Sequence, residues 1–88
     1  MDDPTRRDVL RRLAYIEGHL TGVRKMIEQD QYCVDVLKQT FAVRRAIEKM
    51  EAKMLGGHLH GCVVEGIEGG EADRVIDELL ELYALNSR

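Results

Sequence analysis

The sequence has no apolar run long enough to cross a membrane. No stretch approaches the ~20 consecutive apolar residues that a transmembrane helix requires. The first residues, Met1 to Pro4, include two aspartates and do not resemble a secretory signal peptide. With 33% charged and 44% hydrophobic residues, the composition is that of an ordinary folded protein. We therefore expect one small cytoplasmic domain, residues 1–88, with no membrane partner.

Cysteine is scarce, with 2 residues in a chain of 88. In the cytoplasm, two such cysteines are more often thiols than a disulfide. An enzyme with a cysteine nucleophile and His58 as its base is disfavoured. The pattern offers no oxyanion hole, no third orienting group and no pocket of useful size.

Positive charge is in the minority overall but unevenly distributed. The formal net charge is −3, which weakly disfavours a nucleic-acid partner. Residues 1–55 nevertheless contain 11 of the 13 lysines and arginines and 9 of the 16 acidic residues. Residues 56–88 contain the other 2 basic residues and the other 7 acidic residues. No helix-turn-helix, zinc-finger or ribbon signature is present. DNA binding by the first part therefore stays open beside the simpler interpretation of a solvated basic face.

Apolar residues recur at spacings of three and four in two long stretches, the pattern of paired amphipathic helices. The seam of the first helix is Val9, Leu13, Ile16, Leu20, Val23 and Ile27. The seam of the second, from about Gln31 to about Val63, is Cys33, Val36, Thr40, Val43, Ile47, Met50 and Met54. Asp30 is predicted to cap the second helix, and the short connection makes the two an antiparallel hairpin.

Further apolar residues widen the face of the second helix, and one partner helix cannot cover them all: Leu37, Phe41, Leu55 and Leu59. Dimerisation through this helix is the simplest way to cover these apolar side chains. Gly56-Gly57 is a weak point where the helix could break, since glycine costs about 1 kcal/mol in a helix interior.

After a glycine-rich loop over residues 65–70, a third helix from about Glu71 to about Leu85 is expected. It is predicted to bury Val75, Ile76, Leu79, Leu80 and Tyr83.

Three potential metal ligands lie on the second helix. His58 and Cys62 are four residues apart and share a helical face. Cys33 precedes His58 by 25 residues, about 37 Å along a continuous helix at 1.5 Å per residue. One chain therefore cannot bring all three to one ion. A second copy running antiparallel places its own Cys33 beside the other two.

Two thiolates and one imidazole form a soft ligand set that favours Cu(I) or Zn(II). Zn(II) usually fills four positions and only three obvious ligands are present, so the count favours copper. From spacing alone an alternative stays open, in which both cysteines are small core residues and His58 lies at the surface.

These residues also carry a family resemblance. The matching segments are Arg12-Leu13, Ile16-Glu17-Gly18-His19-Leu20, Gly22, Arg24-Lys25-Met26-Ile27-Glu28 and residues 30–39. With the family-diagnostic spacing Cys-x24-His-x3-Cys, the chain resembles the copper-sensitive operon repressor (CsoR-like) family over essentially its whole length. The resemblance implies an all-α, three-helix protomer with a long central helix. It also implies an antiparallel dimer forming a four-helix bundle, a dimer of such dimers, and a metal-export operon repressed until Cu(I) binds.

The resemblance assigns roles to individual residues. The Cu(I) ligands fall on Cys33 of one protomer and on His58 and Cys62 of the other. The residues that hydrogen-bond around the ligand imidazole fall on Tyr32 and Glu78.

The family's contacts to double-stranded operator DNA fall on Arg12 and on Lys49, where the family often has arginine. Lysine keeps the charge and loses bidentate phosphate geometry. Arg44 and Arg45, on the solvent side of the long helix, are predicted as further DNA contacts.

Relatives of this family sense persulfides, nickel, cobalt or formaldehyde. The persulfide sensors lack the histidine, so His58 argues against that role. The nickel and formaldehyde sensors typically lack the last cysteine, so Cys62 argues against those. A persulfide or thiol-redox sensor, or a nickel, cobalt or zinc sensor, on the same scaffold remains the alternative. A purely structural helical oligomer, binding neither metal nor DNA, is the third possibility.

Overall fold

The structure, a computed structural model, describes residues 1–87, and Arg88 lies outside the described residues. The elements are α1 (Asp3–Glu28), α2 (Cys33–His58), a π-helical turn (Leu59–Val63), α3 (Val64–Glu68) and α4 (Ala72–Asn86). Residues 1–87 contain no strand, and the all-α prediction is confirmed. None of these helices is both long and apolar enough to cross a membrane.

α1 and α2 pack side by side as an antiparallel hairpin. The buried residues between them are Ile16, Val23 and Val43, and the partly buried residues around these are Val36, Ala46, Ile47 and Met50. Ile16 and Val23 are seven residues apart and therefore lie on one face of α1. Leu20, from the same predicted seam, is 49% exposed, against 3% for Ile16. Within one chain, α2 covers only one edge of the α1 seam.

A tight turn connects the two helices. Asp30 adopts a left-handed conformation with φ of +57°, and its N–H donates to the carbonyl oxygen of Ile27 at 3.0 Å. Asp tolerates this region better than most residues. The prediction that Asp30 caps α2 is wrong, because Tyr32 occupies the N-cap position and its side chain makes no capping hydrogen bond. α2 therefore begins at Cys33, two residues later than expected.

The two glycines near the end of α2 do not break the helix. α2 runs through Gly56 and Gly57 to His58 and passes directly into the π-helical turn. A methyl group at Gly57 would lie 2.8 Å from Cγ2 and from Oγ1 of Thr5. The missing side chain therefore lets the start of α1 approach the end of α2 closely.

The glycine-rich loop is shorter than expected. The prediction of a loop over residues 65–70 is wrong, because α3 continues to Glu68 and only a brief connection precedes α4. Gly70, with φ of +84°, makes the turn in a conformation that favours glycine. A Cβ at Gly66 would overlap Cγ2 of Val75. Gly66 thus allows α4 to pack closely on α3.

α4 occupies nearly the predicted range but buries less than predicted. Val75 is buried and Leu79 is half-buried. The prediction that Ile76, Leu80 and Tyr83 are also buried is wrong within one chain, since all three are exposed. Across residues 1–87, α4 packs mainly against the short α3. Most of its apolar face is therefore at the surface of the protomer.

The protomer is a thin, elongated layer of helices. Its extents are 56 × 29 × 13 Å, and the smallest is close to the ~10–12 Å diameter of one helix. The radius of gyration is 17.2 Å, whereas a compact chain of this length would have about 12 Å. The accessible surface is 7053 Å², against about 5,200 Å² for a compact monomer of this mass.

Candidate functional site

Cys33 and His58 stand at the two ends of one helix. Cys33 is the first residue and His58 the last residue of the 26-residue α2. At 1.5 Å per residue, their separation along the axis is about 37 Å. Because the helix is continuous, this distance cannot shorten without unfolding part of α2.

Cys62 lies in the π-helical turn, about one turn beyond His58. The thiols of Cys62 and Cys33 are free and exposed, and His58 is half-buried. A π-helical turn closes its hydrogen bonds over five residues rather than four, and such turns are frequent at functional sites. His58 and Cys62 therefore share one end of the protomer, and Cys33 lies at the other end of α2.

Within residues 1–87 of a single chain, no three His, Cys, Asp or Glu side chains are grouped so that they could hold a metal ion. The predicted ligands form two separate parts, a histidine–cysteine pair and a lone thiol. The donor set of two sulfurs and one imidazole nitrogen nevertheless fits Cu(I) or Zn(II).

Tyr32 and Glu78 lie on different elements of the protomer. Tyr32 directly precedes Cys33 and its side chain is exposed. Glu78 lies on α4, where its carboxylate accepts a hydrogen bond from the Arg74 guanidinium at 3.0 Å. Arg74 also donates to Glu71 at 3.3 Å.

An open groove between α1 and α2 collects most of the predicted DNA contacts. It encloses about 550 Å³, and we call it the basic groove; its lining is Arg11, Arg12, Tyr15, Ala42, Arg45, Ala46 and Lys49. The structure thus brings together Arg12, Arg45 and Lys49, which the sequence singled out. Four cationic side chains along one groove form a surface suited to a polyanion.

Asp8 pairs with the arginines beside the groove. Its carboxylate accepts a hydrogen bond from Nε of Arg12 at 3.2 Å and also contacts Arg11. The hydrogen bond from Arg12 is the main cause that lowers the pKa of the Asp8 carboxyl, and the nearby positive charges add to it. Asp8 therefore offsets part of the groove's charge at neutral pH.

Arg44 lies apart from the other predicted DNA contacts. Its guanidinium carbon sits 5.0 Å from the ring centroid of Phe41, in a cation–π arrangement on α2. It is absent from the lining of the basic groove, whereas its neighbour Arg45 is present.

Sequence reasoning missed two residues of the basic groove, Arg11 and Tyr15. They are four residues apart on α1 and therefore share a face. That spacing is visible in the sequence. The rotation of α1 that turns this face towards Arg45 and Lys49 is visible only in the folded hairpin.

Comparisons with known proteins give a consistent result. The family model described as metal-sensitive transcriptional repressor matches residues 5–84. The copper-sensing transcriptional repressor CsoR of Bacillus subtilis is 39% identical over 75 residues, which are 85% of this chain and 74% of that protein. Its counterpart from Mycobacterium ulcerans is 41% identical over 76 residues, 86% of this chain. The chain spans 65% of that relative's length, just under two thirds.

A solved structure shows the same fold. It is the copper-sensing repressor CsoR with Cu(I) from Geobacillus thermodenitrificans, with a TM-score of 0.94 and 28% identity, covering 100% of this chain and 92% of that one. The family consists of transcriptional repressors and is not a class of enzymes. Because the family model matches residues 5–84, the chain belongs to the metal-sensitive transcriptional repressor family.

Proposed function

We propose that this protein is a cytoplasmic, Cu(I)-responsive transcriptional repressor. It binds operator DNA when metal-free and releases it when Cu(I) fills a site shared between two subunits. One observation carries the proposal: α2 is a continuous helix with a thiol at its first residue and a histidine–cysteine pair at its end. Two relatives named as copper-sensing repressors, and a relative solved with Cu(I), support copper as the inducer.

The surface of the protomer supports an antiparallel homodimer. It exposes about 1,800 Å² more than a compact monomer of its mass, and each partner in a standard interface buries ~800 Å². α2 and the turn that follows it carry the apolar side chains for such an interface, all exposed here: Leu37, Phe41 and Leu55 on α2, and Leu59 in the π-helical turn. Two hairpins joined through α2 form a four-helix bundle, and a dimer of these dimers uses the remaining apolar surface.

In the dimer, Cys33 of one protomer joins His58 and Cys62 of its partner as the metal ligands. Cu(I), when bound there, supplies a crosslink between the two chains through two thiolates and an imidazole. Tyr32 adjoins the ligand Cys33 in sequence. With Glu78 it would orient the imidazole by hydrogen bonding, which is how outer partners of metal ligands commonly act.

The basic groove provides the DNA interface. Arg12, Arg45 and Lys49 would contact phosphates of the duplex, and neutralising phosphates releases counterions and drives binding. Arg44 is exposed beside Phe41 and would add charge at the flank of the groove.

Contacts within the hairpin connect the two sites. Thr5 at the start of α1 packs against Gly57, one residue before His58. A shift of the ligand-bearing end of α2 would therefore move α1, which carries Arg12. If the filled site favours a hairpin geometry that fits DNA poorly, metal and DNA oppose each other by a coupling free energy.

An anaerobic Cu(I) titration followed by a DNA-binding assay tests the proposal. The probes are genomic fragments that the metal-free protein itself selects. We expect tight binding of one Cu(I) per Cys33–His58–Cys62 set and release of the fragments as the sites fill. Selected fragments that stay bound at saturating Cu(I) would refute the regulatory part of the proposal.

A second candidate function is persulfide sensing, favoured by the free and exposed thiols of Cys33 and Cys62. In the antiparallel dimer these thiols would meet, and polysulfide could link them in a disulfide or trisulfide between chains. DNA release by polysulfide without any response to Cu(I) would decide for this function. Parallel titrations with nickel, cobalt and zinc test the other metals on the same scaffold.

A further inference from the structure

Tyr15 occupies an unusual position for a large aromatic residue. Its side chain is 65% exposed, yet it lines the basic groove among Arg11, Arg12, Arg45 and Lys49. Exposed aromatic residues surrounded by cations contribute little to a protein core. The phenol offers a directed O–H donor where the neighbouring side chains offer positive charge.

The ring of Tyr15 is held in place by a chain of contacts that crosses from α1 to α2. It meets the His19 ring edge-on, with centroids 5.9 Å apart and planes at 74°. Nε2 of His19 lies 2.8 Å from Oε1 of Gln39, so the imidazole donates to the amide oxygen. Since Gln39 belongs to α2, this contact fixes the histidine, and through it the tyrosine, relative to both walls of the groove.

We propose that Tyr15 is a DNA-contacting residue whose hydroxyl donates a hydrogen bond to a backbone phosphate, and that His19 and Gln39 position its ring. This inference rests on the proposed function, since it refines the interface used for DNA. Tyrosine is among the side chains that bond to phosphate oxygens and set the register of a protein on the duplex. A neutral donor adds affinity and direction without adding to the counterions released.

The neutral donor can be distinguished from the cations by salt dependence. The probe is a duplex of mixed sequence, about 30 base pairs long, because a phosphate contact does not depend on sequence. Tyr15→Phe should bind it about three- to tenfold more weakly than wild type, the range for losing one hydrogen bond of typical net strength. The slope of log K against log salt should remain that of wild type. Tyr83→Phe, on exposed α4, is the matched control and should bind like wild type.

The positioning role is tested with Gln39→Ala. Losing the His19–Gln39 hydrogen bond should weaken binding in wild type by about two- to fivefold. The same substitution should have no further effect in Tyr15→Phe, because the bond it would support is already gone. Additive losses in the double variant would show that Gln39 acts independently of Tyr15 and would overturn its positioning role.

Several results would overturn the contact itself. Tyr15→Phe could bind like wild type while Arg12→Ala binds more weakly, which would show that the hydroxyl makes no contact. If Tyr15→Ala weakened binding and Tyr15→Phe did not, the ring rather than the hydroxyl would make the contact. A changed salt slope in Tyr15→Phe would mean that the cations had been disturbed. Wild-type protein that ignores the duplex at low salt would refute the proposed function, and this contact with it.

Discussion

Gly57 packs against Thr5 so closely that a methyl group on the glycine would lie 2.8 Å from two atoms of the threonine side chain. The contact joins the first turn of α1 to the last turn of α2. α1 leads from Thr5 to Arg12 in the basic groove, and α2 ends at His58. This close approach gives the end of α2, which carries the proposed metal ligand His58, a direct contact with the helix that carries the proposed DNA interface.

Replacing Gly57 by Ala should destabilise the hairpin. Alanine gains up to ~1 kcal/mol of helix propensity over glycine. Overpacking against Thr5 typically costs about 1–3 kcal/mol and should outweigh that gain. We expect a lower unfolding midpoint in urea with an unchanged m-value.

Gly56→Ala is the matched control for this substitution, since nothing lies within 4 Å of a Cβ built at Gly56. It should stabilise the protein by up to ~1 kcal/mol. Thr5→Ala combined with Gly57→Ala should recover most of the lost stability, because it removes Cγ2 and Oγ1 of the threonine. If Gly57→Ala were as stabilising as Gly56→Ala, the close approach of the two helices would be wrong.

Some features of the fold can be predicted from the sequence, and others depend on how the helices pack. Seven-residue spacing between Ile16 and Val23 predicted the buried seam of the hairpin, because period and face are local properties of a helix. The sequence left open whether the second helix breaks at Gly57, and the close approach of Thr5 to this glycine is visible only in the folded hairpin. Likewise, an apolar face that includes Ile76 is visible in the sequence, but its exposure in the protomer is not, because burial depends on how α4 packs.

The same distinction applies to the candidate site. The separation of Cys33 from His58 followed from helix rise alone, and the continuous α2 has the length that the spacing required. The place of Tyr15 in the basic groove depends on how α1 is rotated against α2. Rotation is set by the packed side chains of both helices, which no single stretch of sequence specifies.

Asp8→Asn should strengthen DNA binding. The hydrogen bond from Arg12 lowers the pKa of Asp8 below its usual 3.8, so the carboxylate is charged at pH 7 and offsets the positive groove. Removing that charge should raise affinity for duplex DNA about two- to fivefold and steepen the salt dependence. Salt titration at pH 7 measures both effects.

Asp3→Asn controls for the loss of an acidic residue, since Asp3 pairs with Arg6 at 3.5 Å outside the groove lining. It should change DNA affinity less than Asp8→Asn. With its pKa lowered by folding, Asp8 contributes stability above its unfolded pKa, and that contribution is lost as the pH falls through the folded value. Asp8 should therefore cause no pH dependence of stability near neutrality. If Asp8→Asn and Asp3→Asn changed DNA affinity equally, the position of Asp8 beside the basic groove would have no particular effect on DNA binding.

Arg12→Ala should weaken DNA binding and reduce its salt dependence. Losing one phosphate contact should lower affinity about tenfold and reduce the salt slope by about 1. Cu(I) affinity should be unchanged, because Arg12 lies on α1 away from the proposed ligands. Arg24→Ala, which removes an exposed arginine of the same helix outside the groove lining, is the control. Equal losses in the two variants would mean that total charge, rather than this groove, binds DNA.

Cys33→Ala should abolish tight Cu(I) binding while leaving the fold intact. Cys33 is exposed in the protomer, so alanine there costs little packing, and the proposed site loses one of its three ligands. Glu78→Gln should lower the affinity for Cu(I) by about 10–100-fold, the usual range for losing a residue that hydrogen-bonds to a metal ligand. Anaerobic competition against a Cu(I) chelator measures both, with circular dichroism as the check on folding. Sub-micromolar affinity surviving in Cys33→Ala would refute the assignment of this ligand.

A mixed dimer tests the geometry between subunits most directly. In the antiparallel dimer, each site takes Cys33 from one chain and His58 with Cys62 from the other. Pairing a Cys33→Ala chain with a His58→Ala chain puts both defects in one site and leaves the second site complete. Each variant alone should bind no Cu(I) tightly, and the mixed dimer should bind one ion per dimer with wild-type affinity. If each site instead drew its ligands from one chain, every site in the mixture would lack a ligand, and mixing would restore nothing.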